Sequence, residues 1–150
     1  MSAPTRHFFD ELLAIHENQE LSLFQKIRLL RTSLEQMCKF LSREDGITFP
    51  NLFGRLEYVS NKFGLPMGQK AHIHEFRVFA NKVIREETQP DDDEYLDGLK
   101  VLAESYGFFL GIEVPADIRR LYGHRKLSDK EPEHYRVNPA GFRCMLAGID

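Results

Sequence analysis

Apolar residues repeat every three or four positions along five long segments of this chain, which is the pattern of amphipathic helices. The clearest repeat spans about residues 22–43, where Ser22 and Gln25 also have the spacing of a capping box. The predicted helices cover about residues 5–18, 22–43, 49–63, 70–86, 92–112 and 115–122. Because their connections are short, antiparallel neighbours are expected. The sequence therefore predicts an all-α protein, an up-and-down bundle of about five helices with a short sixth helix and an irregular C-terminal tail.

Residues that commonly begin or end helices support these boundaries. Thr5 is the expected N-cap of the first helix. Thr48 precedes the third helix, Pro50 suits its first turn and Gly64 is a natural terminator. The acidic residues 91–94 crowd the start of the fifth helix, where carboxylates meet the positive end of the helix dipole. They would also suit Mg²⁺, but capping explains them without a metal.

The character of the chain changes after Gly123. The following segment is polar and contains two prolines, whereas residues 142–149 are apolar and strand-like with no partner strand in this chain. We therefore divide the chain into a helical bundle, residues 1–114, and a short helix with a linker and strand-like tail, residues 115–150. The tail is expected to begin a following domain; the alternative is that it adds to the helical body.

Composition narrows the class of protein. The 150 residues suit one domain, and the formal net charge of −3 is not basic enough to predict a nucleic-acid binder from charge alone. The N-terminus has no signal-peptide core and no run approaches the length of a membrane span, so we expect a cytoplasmic protein with no membrane contact. Cys38 and Cys144 suit a reducing compartment, and Cys38 is expected in the core.

The helix predicted at about residues 70–86 contains the candidate binding residues of this chain. Opposite its apolar side runs a polar stripe made of Lys70, His74, Arg77, Asn81 and Arg85. An arginine guanidinium offers forked donors to phosphate, and an asparagine can orient a backbone or a ribose. The stripe predicts an edge that contacts the phosphates of a nucleic acid; the alternative is an ordinary solvated helix face.

No catalytic residue, cofactor or metal site is predicted. His72 and His74 lie two apart and therefore point in different directions on a helix, so they cannot share a metal. Arg119 and His124 match the R-x4-H spacing of a family of helical ribonucleases, but such a match is expected by chance in this composition. His124 also follows Gly123 and so lies beyond the helix end.

Two segments resemble the HEPN-type helical domains often attached to helicases and restriction enzymes. Residues 28–41, RLLRTSLEQMCKFL, resemble the helix that opens that subfamily, and residues 77–86, RVFANKVIRE, resemble its R-x-x-G-N-x-x-x-H-E stretch. The resemblance covers about residues 20–112. In active members of this family, the arginine and the histidine of that stretch are implicated in metal-independent RNA cleavage. The resemblance implies that Arg77 corresponds to the arginine and Asn81 to the asparagine.

Two departures from this pattern decide the expected function. Ala80 stands where the family has glycine, and Arg85 stands where it has histidine. A guanidinium is effectively never deprotonated in proteins, so Arg85 cannot act as a general base, although its charge can stabilise a phosphate. The resemblance therefore implies a HEPN-like domain without ribonuclease chemistry. A proton-accepting imidazole beside Arg77 would contradict this interpretation.

The expected function is that of a non-catalytic accessory or interaction module at the N-terminus of a larger, bacterial, helicase-like nucleic-acid-processing protein. Its expected partners are a downstream domain of the same polypeptide or another protein, the backbone of a nucleic acid, or a second copy in a homodimer. One alternative is an active HEPN ribonuclease or toxin in which Arg77 and either His74 or His124 rearrange around RNA. A second is a nucleotide or small-ligand binder between the second and fourth helices.

Overall fold

The computed structural model describes residues 3–127, with side chains from Arg6 onward. Six helices follow one another along this part of the chain: α1 (Ala3–Glu17), α2 (Leu23–Leu41), α3 (Leu52–Phe63), α4 (Met67–Glu86), α5 (Asp92–Leu110) and α6 (Ala116–Tyr122). Residues 3–127 contain no strand, which confirms the all-α prediction. The expected strand-like tail, residues 142–149, lies outside the described residues. None of the six helices is both long enough and apolar enough to cross a bilayer.

The helix boundaries agree with the sequence at α2 and α5 and at the ends of α3 and α4, whereas the starts of α1, α3 and α4 differ from the prediction. Ser22 and Gln25 form the expected capping box, and Gly64 adopts the left-handed conformation after α3 with φ of 67°. The predicted N-cap at Thr5 is wrong, because α1 already begins at Ala3. Helix α3 begins later than expected because the Asn51 side chain accepts a hydrogen bond from the amide of Gly54 at 2.9 Å.

The residues at the starts of α3, α4 and α5 complete this comparison. Because α3 begins at Leu52, Pro50 precedes the helix instead of lying in its first turn. Helix α4 begins at Met67, directly after Pro66 and three residues before the predicted start. At α5 the acidic cluster caps the helix as expected, and Asp91 and Glu94 do so as a second capping box.

Helices α2 and α5 form the centre of the core. Helix α2 packs against α1, α3, α4 and α5, and α5 packs against α1, α2, α4 and α6. Leu34 and Cys38 on α2 are fully buried, and burial raises the pKa of the Cys38 thiol to about 12, so Cys38 is the core residue that the sequence predicted. The hydroxyls of Ser33 and Tyr106 join the two central helices at 2.8 Å.

Helix α4 is enclosed on three sides, because α2, α3 and α5 all pack against it. It runs antiparallel to α5, where Gln69 contacts Ser105 near one end and Phe76 packs on Gly98 further along. A Cβ at Gly98 would lie 2.9 Å from the Phe76 ring, so glycine permits this close approach of the two helices. The surroundings of α4 decide what its polar residues can do.

Candidate functional site

The polar stripe of α4 is largely buried. His74 and Arg77 have no exposed surface, and Asn81 is 7% exposed. The alternative of a solvated helix face is therefore wrong for these three residues, because α2 and α3 cover the side of α4 that carries them. The side chain of Arg85 remains 57% exposed at the end of the stripe. We call the buried part of the stripe, with its partners on α2 and α3, the α4 polar network.

The centre of the α4 polar network is a hydrogen-bonded chain from Arg77 through His74 to Glu57. The Nε of Arg77 donates to Nδ1 of His74 at 3.3 Å, and Nε2 of His74 lies 2.7 Å from Oε2 of Glu57 on α3. Since a guanidinium nitrogen can only donate, Nδ1 must accept and the proton of the neutral ring must lie on Nε2. His74 therefore donates to the Glu57 carboxylate.

This arrangement favours a neutral imidazole beside a charged carboxylate. Burial lowers the pKa of His74, the hydrogen bond to Glu57 opposes this, and the positive charge of Arg77 adds to the lowering. Burial would raise the pKa of Glu57, but the donors of His74 and Lys70 lower it below its usual value. The neutral His74 ring and the Glu57 carboxylate therefore lie together between the side chains of Lys70 and Arg77.

Further contacts tie the network to its neighbouring helices. The guanidinium of Arg77 lies over the ring of Phe53 on α3, 5.2 Å from its centroid. On the other side, Nε of Arg31 on α2 donates to the side-chain oxygen of Asn81 at 2.5 Å, and Arg31 also lies 3.5 Å from Glu35. The α4 polar network therefore joins three helices through charged and polar side chains.

The two ends of the predicted stripe differ from its centre. Lys70 has a side chain only 12% exposed, and its ammonium lies 3.1 Å from Glu57 and 3.2 Å from the side-chain oxygen of Asn61. The exposed Arg85 lies 3.8 Å from its neighbour Glu86. The structure thus brings Lys70 and His74 together on Glu57, whereas Arg85 stays outside the network.

An imidazole does lie beside Arg77, and this arrangement is close to what the ribonuclease alternative requires. However, Nδ1 of His74 already accepts a hydrogen bond from Arg77, Nε2 is hydrogen-bonded to Glu57, and the ring has no exposed surface. In this conformation the ring has no open position for a substrate hydroxyl. The R-x4-H pair is elsewhere, on α6 and just beyond it, and Arg119 donates to the carbonyl of Val114 at 3.0 Å.

Sequence reasoning missed Glu57, Phe53 and Arg31 as members of the network. The spacing of these residues could have indicated the contact. Phe53 and Glu57 lie four residues apart on α3, as Lys70 and His74 do on α4. In consecutive antiparallel helices, equal spacings allow two such pairs to face each other. The register between the helices, which decides whether they do, could not be read from the spacing.

The acidic cluster at α5 has partners of its own. Beyond the Asp91 and Glu94 capping box, Arg125 donates to Asp93 at 2.7 Å and to Asp97 at 2.5 Å. Within residues 3–127, no group of three or more histidine, cysteine, aspartate or glutamate side chains is placed to hold a metal ion. The carboxylates of α5 thus cap the helix and bind the segment that follows α6.

Comparison with known proteins adds no assignment. No protein-family model, no curated protein and no solved structure matches this chain.

Proposed function

We propose that this chain is a non-catalytic, cytoplasmic helical module of a HEPN-like kind that belongs to a larger nucleic-acid-processing protein. The observation that carries the proposal is the state of His74, whose two ring nitrogens are both engaged inside the protein. A general base must reach the proton that it removes. A buried imidazole whose two nitrogens are both hydrogen-bonded within the protein does not reach the proton of a substrate. Arg85, at the position of the family histidine, cannot replace it.

The α4 polar network has a structural role under this proposal. A partly satisfied buried network costs stability, whereas a hydrogen-bonded one can fix the register of the helices that it joins. The contacts of His74 with Glu57 and of Asn81 with Arg31 act at the α3–α4 and α2–α4 interfaces. The network would then hold α4 in the orientation that presents its exposed end.

That exposed end supports contact with the phosphates of a nucleic acid. Helices α2 and α4 run antiparallel, because Arg31 lies against Asn81 while the amide of Phe24, near the start of α2, donates to the side chain of Gln89, just beyond the end of α4. Arg28 lies one turn before Arg31, and Arg85 lies one turn after Asn81, so the two arginines are level with each other along the α2–α4 seam. Arg28 and Arg85 are both exposed. We call these two residues the basic seam, and they replace Lys70 and Arg77 as the cations able to reach a phosphate.

The absence of catalysis is tested by incubating the protein with a mixed-sequence RNA in the presence of a chelator. We expect no cleavage above the buffer control, in wild type and in Arg85→Gln alike. The contradicting result is cleavage that disappears in His74→Gln while the urea midpoint of unfolding is retained. In that case His74 becomes accessible to RNA, and the chain is a ribonuclease.

Contact through the basic seam is tested by measuring the affinity for a single-stranded oligonucleotide at several salt concentrations. Two phosphate contacts predict a log–log slope of about −1.4, and Arg85→Gln or Arg28→Gln should reduce its magnitude by about 0.7. Arg120→Gln, an exposed arginine on α6, is the matched control and should leave the slope unchanged. Binding that ignores salt, or that responds equally to all three substitutions, would remove the basic seam from the proposal.

A further inference from the structure

A cavity of about 240 Å³ lies between α4 and α5, on the side of α4 opposite the α4 polar network. Its apolar wall includes Phe76, Phe79, Val101 and Leu127, and Gly98 contributes bare backbone to the floor. Phe76 and Val101 are almost fully buried and therefore form a fixed surface. The cavity is smaller than the roughly 300–1,000 Å³ typical of drug-sized sites, so it suits a ligand smaller than a typical drug.

The polar groups of the cavity have mostly one sign. Glu75 on α4 and Glu94 and Asp97 on α5 line it together with His72. Asp97 already binds the guanidinium of Arg125, which shows that this edge accepts a cation when one is offered. Glu75 faces the cavity from the opposite helix, and its side chain is exposed to solvent at the rim.

We propose that the α4–α5 cavity binds a small organic cation, with an ammonium group at Glu75 and an apolar body against Phe76 and Phe79. An ammonium at the rim meets the Glu75 carboxylate, and Glu94 and Asp97 across the cavity add negative charge although they also cap α5 and bind Arg125. The aromatic rings offer apolar surface and their negative faces to the rest of the ligand. An anionic ligand such as a nucleotide is disfavoured by the same carboxylates. The site is independent of the function proposed above, because it uses a different face of α4.

The surroundings of the Glu75 carboxyl, which raise its pKa, agree with this assignment. Partial burial raises the pKa of Glu75, His72 opposes the rise, and the negative charge of Asp97 adds to it. Glu94 also lines the cavity, and Arg125 lies at its Asp97 edge. A bound cation would favour the charged form of Glu75, so its binding should weaken on acidification before an ordinary glutamate would be protonated.

The proposal is tested with phenethylamine as the probe and 2-phenylethanol as its neutral counterpart. Binding is followed by changes in the ¹H–¹⁵N NMR spectrum of the whole chain. We expect saturable shifts at α4 and α5 residues around the cavity with the amine, and at least about fivefold weaker binding of the alcohol. Equal affinity for the two probes, or no shifts at these residues, would overturn the proposal.

Two substitutions separate the cavity from general attraction to an acidic protein. Glu75→Gln should weaken phenethylamine binding about fivefold, and because this side chain lies at the rim the fold should be retained. Glu44→Gln, an exposed carboxylate in the α2–α3 connection, is the matched control and should have no effect. The assignment is wrong if the two variants bind the amine alike.

A methylated lysine peptide in a parallel titration distinguishes a protein side chain from a free amine. Because the cavity is small, we expect the free amine to bind more tightly than the peptide.

Discussion

At the scale of single residues, His74 is a neutral imidazole that faces charged groups from two helices. Glu57 on α3 accepts its Nε2 proton, Arg77 on α4 donates to its Nδ1, and Lys70 on α4 shares the Glu57 carboxylate. Protonation of Nδ1 would break the bond from Arg77 and bring two cations together. The folded protein should therefore resist a proton that the unfolded chain accepts at an ordinary histidine pKa.

We predict that His74 makes the protein less stable as the pH falls below about 6.5. Because its folded-state pKa is lowered from 6.5, the unfolded state binds more protons in this range, and stability is lost as acidification begins. The slope from one such group cannot exceed about 1.4 kcal/mol per pH unit. Urea unfolding of wild type and His74→Gln between pH 7.5 and 5.5 measures it, and the difference in stability between them should shrink at low pH.

His16 is the matched control for this titration. Burial lowers its pKa, followed by the charge of Lys26, while its Nδ1 lies 2.9 Å from the hydroxyl of Tyr95. His16→Gln should remove its own part of the pH dependence and leave the part due to His74. The NMR titration of the His74 ring in wild type gives a direct check. A transition at or above pH 6.5 would mean that the ring is not held neutral.

At the scale of the elements, α2 carries the core, and its apolar stripe predicts where substitution is costly. Leu34 is fully buried, so Leu34→Ala should reduce the free energy of unfolding by about 2–5 kcal/mol through lost burial and a residual cavity. Leu29, on the same helix, is 40% exposed, and Leu29→Ala should cost no more than about 1 kcal/mol. Urea denaturation measures both, and equal losses would mean that the α2 face is misassigned.

The elements also show how far sequence reasoning reaches. The stripe of α2, the capping box at Ser22 and the acidic start of α5 were readable because they depend on residues within one or two turns. The start of α3 was misread because Thr48 and Asn51 are both acceptable N-caps, and the backbone path chooses between them. Such choices depend on contacts that the local sequence does not contain.

The candidate site depended still more on long-range contacts. The spacing correctly grouped His74, Arg77 and Asn81 on one face of α4, but it did not show that this face is buried. Polar residues indicate solvent when a helix has one packed side, whereas α4 is packed by three helices. Glu57, which makes burial of His74 and Lys70 tolerable, lies on another helix, so its role follows from the register of α3 against α4.

At the scale of the whole molecule, the segment after α6 returns to the start of α5. Arg125 binds Asp93 and Asp97 there, and Leu127 reaches the α4–α5 cavity. A similar ion pair joins α1 to α6, where the guanidinium of Arg6 lies 2.7 Å from the carboxylate of Asp117. These ion pairs lie near the surface and add little to global stability, but they decide where the end of the bundle is held.

We predict that Arg125→Gln loosens residues 123–127 without unfolding the bundle. A protease specific for lysine cuts after Lys126 in wild type and variant alike, so the substitution does not change the cleavage site itself. Cleavage should be several-fold faster in the variant, because the bonds to Asp93 and Asp97 are lost, while the urea midpoint stays the same. Salt should speed cleavage of wild type but not of the variant, since ions screen the wild-type pairs. Arg120→Gln, with an exposed side chain on α6, should behave as wild type, and equal rates for all three proteins would show that Arg125 does not hold this segment.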